Sequence, residues 1–210
     1  MTHPARPNDL RGFIRPHGNY RDLKCFQVSE VVYDATVKFC NRFINPRSRT
    51  HDQMVQAARS GRQNIAEGSQ VSAVSRKSEL KLVGVARASL EELLLDFEDF
   101  LRQRGLKPWS LDDPIAQVVR HLAYAKDKSY ASYSTYVEQA PAEVAANTVL
   151  CLIYQARYLL DQHLERLGQE FLTEGGFTES LYRARKQARQ RQSSSNPSLP
   201  GPRPANGPIH

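Results

Sequence analysis

Apolar positions along this chain recur in steps of three and four, the signature of helices with one buried face. From Arg21 to about Ile44, Val28, Val32, Ala35, Phe39 and Phe43 step by 4, 3, 4 and 4, and Val31 and Cys40 broaden the same face. Asn45-Pro46-Arg47-Ser48 ends this first helix, because proline cannot continue the hydrogen-bond ladder. Ser48 or Thr50 starts a second helix that is expected to run to about Gly68. Its apolar face carries Met54, Ala58, Gly61, Ile65 and Gly68, most of them small, so a neighbouring backbone is expected to approach closely. Gly68 is read as the end of that helix, and Ser75 or Ser78 as the cap of the next.

The third helix is predicted from about Ser75 to Arg104. Val83, Ala86, Leu90, Leu93, Phe97 and Phe100 are spaced 3-4-3-4-3 along it, a heptad seam. Its outer face is acidic (Glu91, Glu92, Asp96, Glu98, Asp99), and Gly105 with Pro108 stops it. Residues 105–140 are less regular. Asp112-Asp113-Pro114 marks a short helix start, and Tyr130, Tyr133 and Tyr136 lie three apart. Packing of these tyrosines against the end of the bundle is expected; stacking on a base beside Lys126 and Lys128 is the alternative. Pro141 suits the first turn of a fourth helix. Val149, Ile153, Ala156, Leu160, Leu164, Leu167 and Phe171 line it for about 30 residues, up to Gly175-Gly176.

Four long amphipathic helices predict an all-α chain: an antiparallel up-down-up-down four-helix bundle over residues 21–174, with a helical insertion at 105–140 between helices three and four. A flexible lead over 1–20 precedes it. A basic suffix helix over 175–192 follows, and then a tail over 193–210 with five prolines in 18 residues, read as disordered.

Composition narrows the function. The chain has 210 residues and a formal net charge of +7. The excess is terminal: six basic residues and no acid follow from Arg183, five basic residues and two acids occupy 1–24, and the stretch between is close to neutral. Such ends attract polyanions, although a solubilising tail has the same composition. No apolar run approaches a membrane span, and the start lacks a signal-peptide core, so a cytoplasmic protein is expected. Cys25, Cys40 and Cys151 form no CxxC pair and sit in apolar helical patterns, as buried reduced thiols do. A di-iron site in a bundle needs Glu-x-x-His, and no Glu here has a histidine three residues later. No Walker loop, GxGxxG or zinc spacing occurs. No catalytic residue, cofactor or metal is expected.

Two basic surfaces are candidates for nucleic acid. One is on the helices: Lys38, Arg42, Arg59 and Arg62. The other is on the suffix: Arg183, Arg185, Lys186, Arg189 and Arg191. Asn64 and Glu67, one turn apart beside Ile65, are read as tying the second helix to the next turn or helix; a ligand site is the alternative reading.

The run Gln53-Met54, Ala57-Ala58 and Asn64-Ile65-Ala66-Glu67-Gly68, followed by Ala88-Ser89-Leu90-Glu91-Glu92-Leu93, resembles the four-helix-bundle proteins encoded by intervening sequences of bacterial 23S ribosomal RNA genes. Asn64, Glu67, Gly68, Ser89 and Glu92 are its most specific marks. Tyr20-Arg21-Asp22-Leu23 and Val32-Tyr33-Asp34-Ala35-Thr36 are also similar. The long link at 105–140 and the extension from Phe171 to Glu179 look like the subgroup with a four-helix-bundle suffix domain. The resemblance implies a homopentameric barrel without enzymatic activity. More distantly it points to the accessory protein of diversity-generating retroelements, which binds a reverse transcriptase and nucleic acid. The expectation is therefore a non-enzymatic oligomer that binds RNA or DNA, or an enzyme acting on them. A structural or adaptor oligomer with a protein partner is the alternative.

Overall fold

The computed structural model describes residues 19–124, 129–174, 181, 182, 185–187, 189 and 190. Among them there is no strand. The chain is all-helical: α1 (Lys24–Phe43), α2 (Arg49–Val71), α3 (Arg76–Gln103), α4 (Pro114–Leu122) and α5 (Ala142–Glu174).

The helix ends follow local chemistry. A 3-10 turn at Tyr20–Asp22 and an extended Leu23 precede α1, so the first helix begins three residues later than the periodicity predicts. The Tyr20 ring turns back onto Phe26, with centroids 4.8 Å apart. The Ser48 hydroxyl accepts from the Thr50 amide and caps α2. Ser75 does the same for α3 through the Ser78 amide. Gly105, at φ +64°, ends α3: the Leu106 amide returns to the Leu101 carbonyl and the Gly105 amide to Arg102. That is the Schellman closure, which favours a residue without a Cβ. Asp113 accepts from the Ile115 and Ala116 amides and caps α4 at the proline predicted to start it.

One predicted end is wrong. Gly68 does not terminate α2, which runs three residues further to Val71. Gly68 instead lies inside the helix at its closest approach to α3: a Cβ there would stand 3.3 Å from Val83 Cγ2 and 3.4 Å from the Glu79 carbonyl oxygen. At Gly61 a Cβ would stand 2.8 Å from Leu90 Cδ2. The small-residue face of α2 thus lets the α3 seam come in close, as its composition predicts.

All six heptad residues of α3 are buried, as are Val28, Val32, Ala35 and Phe39 of α1, and Val149, Ile153, Ala156, Leu160 and Leu167 of α5. Phe39 joins Phe97 and Phe100 at centroid distances of 4.7 and 4.8 Å, so an aromatic cluster knits α1 to α3. Each of the four long helices packs on two others: α2 on α1 and α3, and α5 on α1 and α3. Pairings that ascend along one helix descend along its neighbour. Cys40 meets Met54 while Glu30 meets Arg62, and Gly61 meets Leu90 while Gly68 meets Val83. Arg76 meets Glu170, Arg87 meets Asp161, and Glu91 meets Arg157.

The insertion is strapped to this body. Asn147 on α5, 2% exposed, accepts from the Trp109 amide at 2.8 Å and donates to the Lys107 carbonyl at 2.9 Å. Ala116 and Val119 of α4 are buried, and α4 lies on α5. Tyr130, Tyr133 and Tyr136 pack on the core from a 3-10 turn and a following π-helical turn (Thr135–Gln139), so the packing reading of these tyrosines holds. Lys126 and Lys128 lie outside the described residues, as do residues 1–18, the tail from 191 and, in the suffix, residues 175–180, 183, 184 and 188.

Candidate interaction surfaces

The helical basic surface does not form as one patch. Arg42, at the end of α1, donates to the Val137 carbonyl and, at 3.1 Å, to Ala140, while its guanidinium lies 4.4 Å over the Phe43 ring. It fastens the π-helical turn to α1. Lys38, one turn earlier, has its Nζ 3.9 Å from Glu138, and the Tyr130 hydroxyl donates to the same carboxylate at 2.9 Å. Burial and that acidic neighbour push the Tyr130 hydroxyl above its usual range. Arg62 lies 4.7 Å over Tyr33 with Nη1 3.8 Å from Glu30. Arg59 is exposed and has no charge partner among the described residues. Three of the four cations are thus engaged within the chain, which lowers their availability to a phosphate backbone.

Asn64 and Glu67 correct the sequence reading. The Asn64 amide donates to the Ser60 carbonyl of its own helix at 2.9 Å, and Glu67 is exposed. Neither ties α2 to another helix among the described residues. The angle between positions explains it: Glu67 falls two residues past Ile65, on the opposite side of the helix. Ser89 and Glu92 line a shallow groove of about 660 Å³ between α2 and α3, with Arg49, Gln56, Ser60 and Asp96. Burial, then Asp99 and Glu92, push the Asp96 carboxyl up.

The suffix cations are placed differently. Arg185, Lys186 and Arg189 are helical and exposed, whereas Arg183 and Arg191 lie outside the described residues.

Two surfaces escape the sequence reading. A groove of about 990 Å³ runs between α1 and α2 from Tyr20 to Tyr130. Arg21, Lys24 and Arg62 bring positive charge to it, and Glu30 and Asp34 bring negative charge. The repeat Lys24, Gln27, Glu30, Asp34 along α1 is the signal that marks its wall. The other is the outer side of α4. Ala116 and Val119 face inward, yet Ile115 (42% exposed) and Val118 (50%) face out, with Leu111 (75%) before the helix and Tyr124 (82%) after it. Ile115 and Val118, with Tyr136, Ala140 and Val144, line an apolar groove of about 520 Å³. The signal that marks it is a pair of interleaved apolar stripes on nine residues.

At the far end, where α3 begins and α5 nears its end, charge is buried. Glu79 is 5% exposed and pairs with Arg76 at 2.9 Å; Arg76 also reaches Glu170 at 3.0 Å. His163, 9% exposed, has its Nδ1 3.1 Å from Arg166. Burial, then Arg166, pull its pKa down to about 4, and Arg76 acts the same way against an opposing Glu170. Burial pushes the Cys25 thiol up to about 11 and Cys40 to about 12, so both are protonated packing groups.

Among the described residues no three His, Cys, Asp or Glu converge to hold a metal ion, and no helix is long and apolar enough to cross a membrane. No family model, curated protein or solved structure matches this chain.

Proposed function

We propose that this chain is a non-enzymatic, self-assembling protein whose suffix binds nucleic acid as a polyanion. Its four long helices would form an antiparallel up-down-up-down four-helix bundle, a reading supported by the opposed order of the pairings along each packed pair. The motif resemblance supports placing it with the bacterial 23S rRNA intervening-sequence proteins, in the subgroup with a suffix domain. It also supports a cytoplasmic homopentamer, with mass in light scattering near five times the 23.8 kDa chain.

One observation carries the polyanion assignment: Arg185, Lys186 and Arg189 are exposed on helical backbone, while Arg42, Arg62 and Lys38 are engaged inside the chain. The suffix therefore carries the nucleic-acid contact and the helical surface does not. The test is a salt titration of RNA and DNA binding. Replacing Arg185, Lys186 and Arg189 with Gln in the full chain should lower the slope of log K against log salt by about 2–3, at roughly 0.7–0.9 for each phosphate no longer neutralised. Replacing Arg59 and Arg62 with Ala should change it far less. Wild-type protein that binds neither polymer at low salt would end this assignment. The adaptor reading, a protein partner without nucleic acid, is favoured by one observation of its own, the exposed apolar side of α4.

A further inference from the structure

The apolar groove on α4 needs an occupant, because Ile115 and Val118 in its wall are 42% and 50% exposed and are costly to leave in water. We propose that the occupant is the suffix of a second copy of this chain, with Tyr182 seated in the groove. This inference rests on the self-assembly reading above.

Three observations lead there. Two large apolar side chains at this end of the chain are exposed: Tyr182 at 68%, and Leu172, before it on α5, at 84%. Tyr182, Arg185, Lys186 and Arg189 are each helical, and their spacings of three, four and seven residues are those that return to one side of a helix. Such a side matches the groove in kind. The groove offers Ile115, Val118 and Tyr136 to the ring, and the exposed Asp112 stands just before α4 to meet the cations. The basic residue on α4, Arg120, is engaged within the chain: it donates to the Leu111 carbonyl at 3.0 Å.

Reach decides between the same chain and another. The groove sits beside Val144, near the start of α5, and the suffix leaves from its end at Glu174. At roughly 1.5 Å per residue those two points are about 45 Å apart. Tyr182 is eight residues beyond Glu174, and eight residues fully extended span at most about 29 Å. A chain cannot fill its own groove. Donor and acceptor surfaces are different and lie at opposite ends of α5, so each copy can give to one neighbour and receive from another. Contacts of this head-to-tail kind close into rings or run on as filaments.

The test uses two full-length variants at exposed positions, Val118→Asp for the groove and Tyr182→Ala for the suffix, with mass read by light scattering. Each variant alone should fall to the mass of one chain. An equal mixture should give a particle of two chains, because one sound suffix then meets one sound groove. Wild-type protein that is a single chain overturns self-assembly and this contact together. Wild-type assembly that both variants retain overturns the contact alone, as does a mixture that stays at one chain. The cations that bind polyanion lie on the docking face, so an excess of RNA oligonucleotide should lower the wild-type mass. Full assembly with RNA bound to every chain would also overturn docking through this face.

Discussion

The contact between α2 and α3 and the outer side of α4 are both built from apolar residues, yet they work in opposite ways. On α2 the side chains are nearly absent. Gly61, Gly68, Ala57 and Ala58 are all buried, and the volume is filled by Leu90 and Val83 of α3. On α4 the side chains are large, and Ile115 and Val118 meet water. Two apolar contacts are thus a finished one and an open one. What separates them is the facing element: α3 supplies a long complementary seam, whereas nothing among the described residues covers the outer side of α4. Substitutions should therefore cost stability at the first and association at the second.

The sharpest way to break that contrast is Gly61→Leu. Any Cβ at this position would meet Leu90 Cδ2 at 2.8 Å, and a full leucine adds three more carbons. The variant should lose about 3 kcal/mol or more, since two helix backbones must separate to admit it. The measurement is the urea midpoint at constant m. A midpoint equal to wild type would mean that α3 is not seated on α2. Gly68→Ala should be milder, because its nearest neighbours stand at 3.3–3.5 Å.

The polar end of the same body gives the second effect. His163 is held neutral with a pKa of about 4, below its ordinary 6.5. As pH falls from 6.5 toward 4 the unfolded chain takes up the proton first, so the folded state loses stability across that window and the loss levels off below it. At 1.36 kcal/mol per unit the ceiling is about 3 kcal/mol. Glu79 acts in the other direction: burial raises its pKa, so the folded state gains a proton early as pH falls and is stabilised by it. The two overlap, and His163→Gln separates them. Wild type should lose stability relative to the variant between pH 6.5 and 4. Parallel pH profiles would show that His163 charges freely in the fold.

The legibility of the chain follows the same divide. The seams of α1, α3 and α5 and the small face of α2 can be read because each is a long repeat that buries one side against another helix. Caps at Ser48, Ser75 and Asp113 can be read because the capping oxygen acts within three residues. Gly68 misleads because a glycine that ends a helix and one that admits a neighbour look alike until the neighbour is placed. The engagement of Arg42 by Val137 and Ala140 spans nearly a hundred positions, and no local pattern announces it. Asn147 gives no signal for the same reason: its partners at Lys107 and Trp109 lie across an irregular link.

Arg42→Ala tests that hidden fastening. It removes charged donors from two carbonyls and a cation from the Phe43 face, for an expected loss of about 2 kcal/mol. The loss should be local. Amide hydrogen exchange should quicken over residues 129–140 more than in α2 or α3. Uniform acceleration through the chain would mean that the insertion and the long helices open as one unit.

The smallest expected effect is on the α4 side, and it is the other half of the comparison. Val118 is 50% exposed and touches the groove, not the core behind it, which Ala116 and Val119 fill. Replacing it with Ser removes apolar surface that is already half in water, and serine and valine have similar helix propensity. Folding stability should therefore stay within about 0.5 kcal/mol of wild type. A loss of 2 kcal/mol or more would place Val118 inside the fold and make α4 a second finished contact. The informative control is Val119→Ser on the next position, where the side chain is 1% exposed. There the same chemical change buries a hydroxyl and leaves a gap, and should cost about 2 kcal/mol. Adjacent positions on one short helix would then respond as differently as Gly61 and Val118 do across the whole molecule. Equal responses would show that α4 has no inner and outer side, and that its exposed residues are not a surface kept open for a partner.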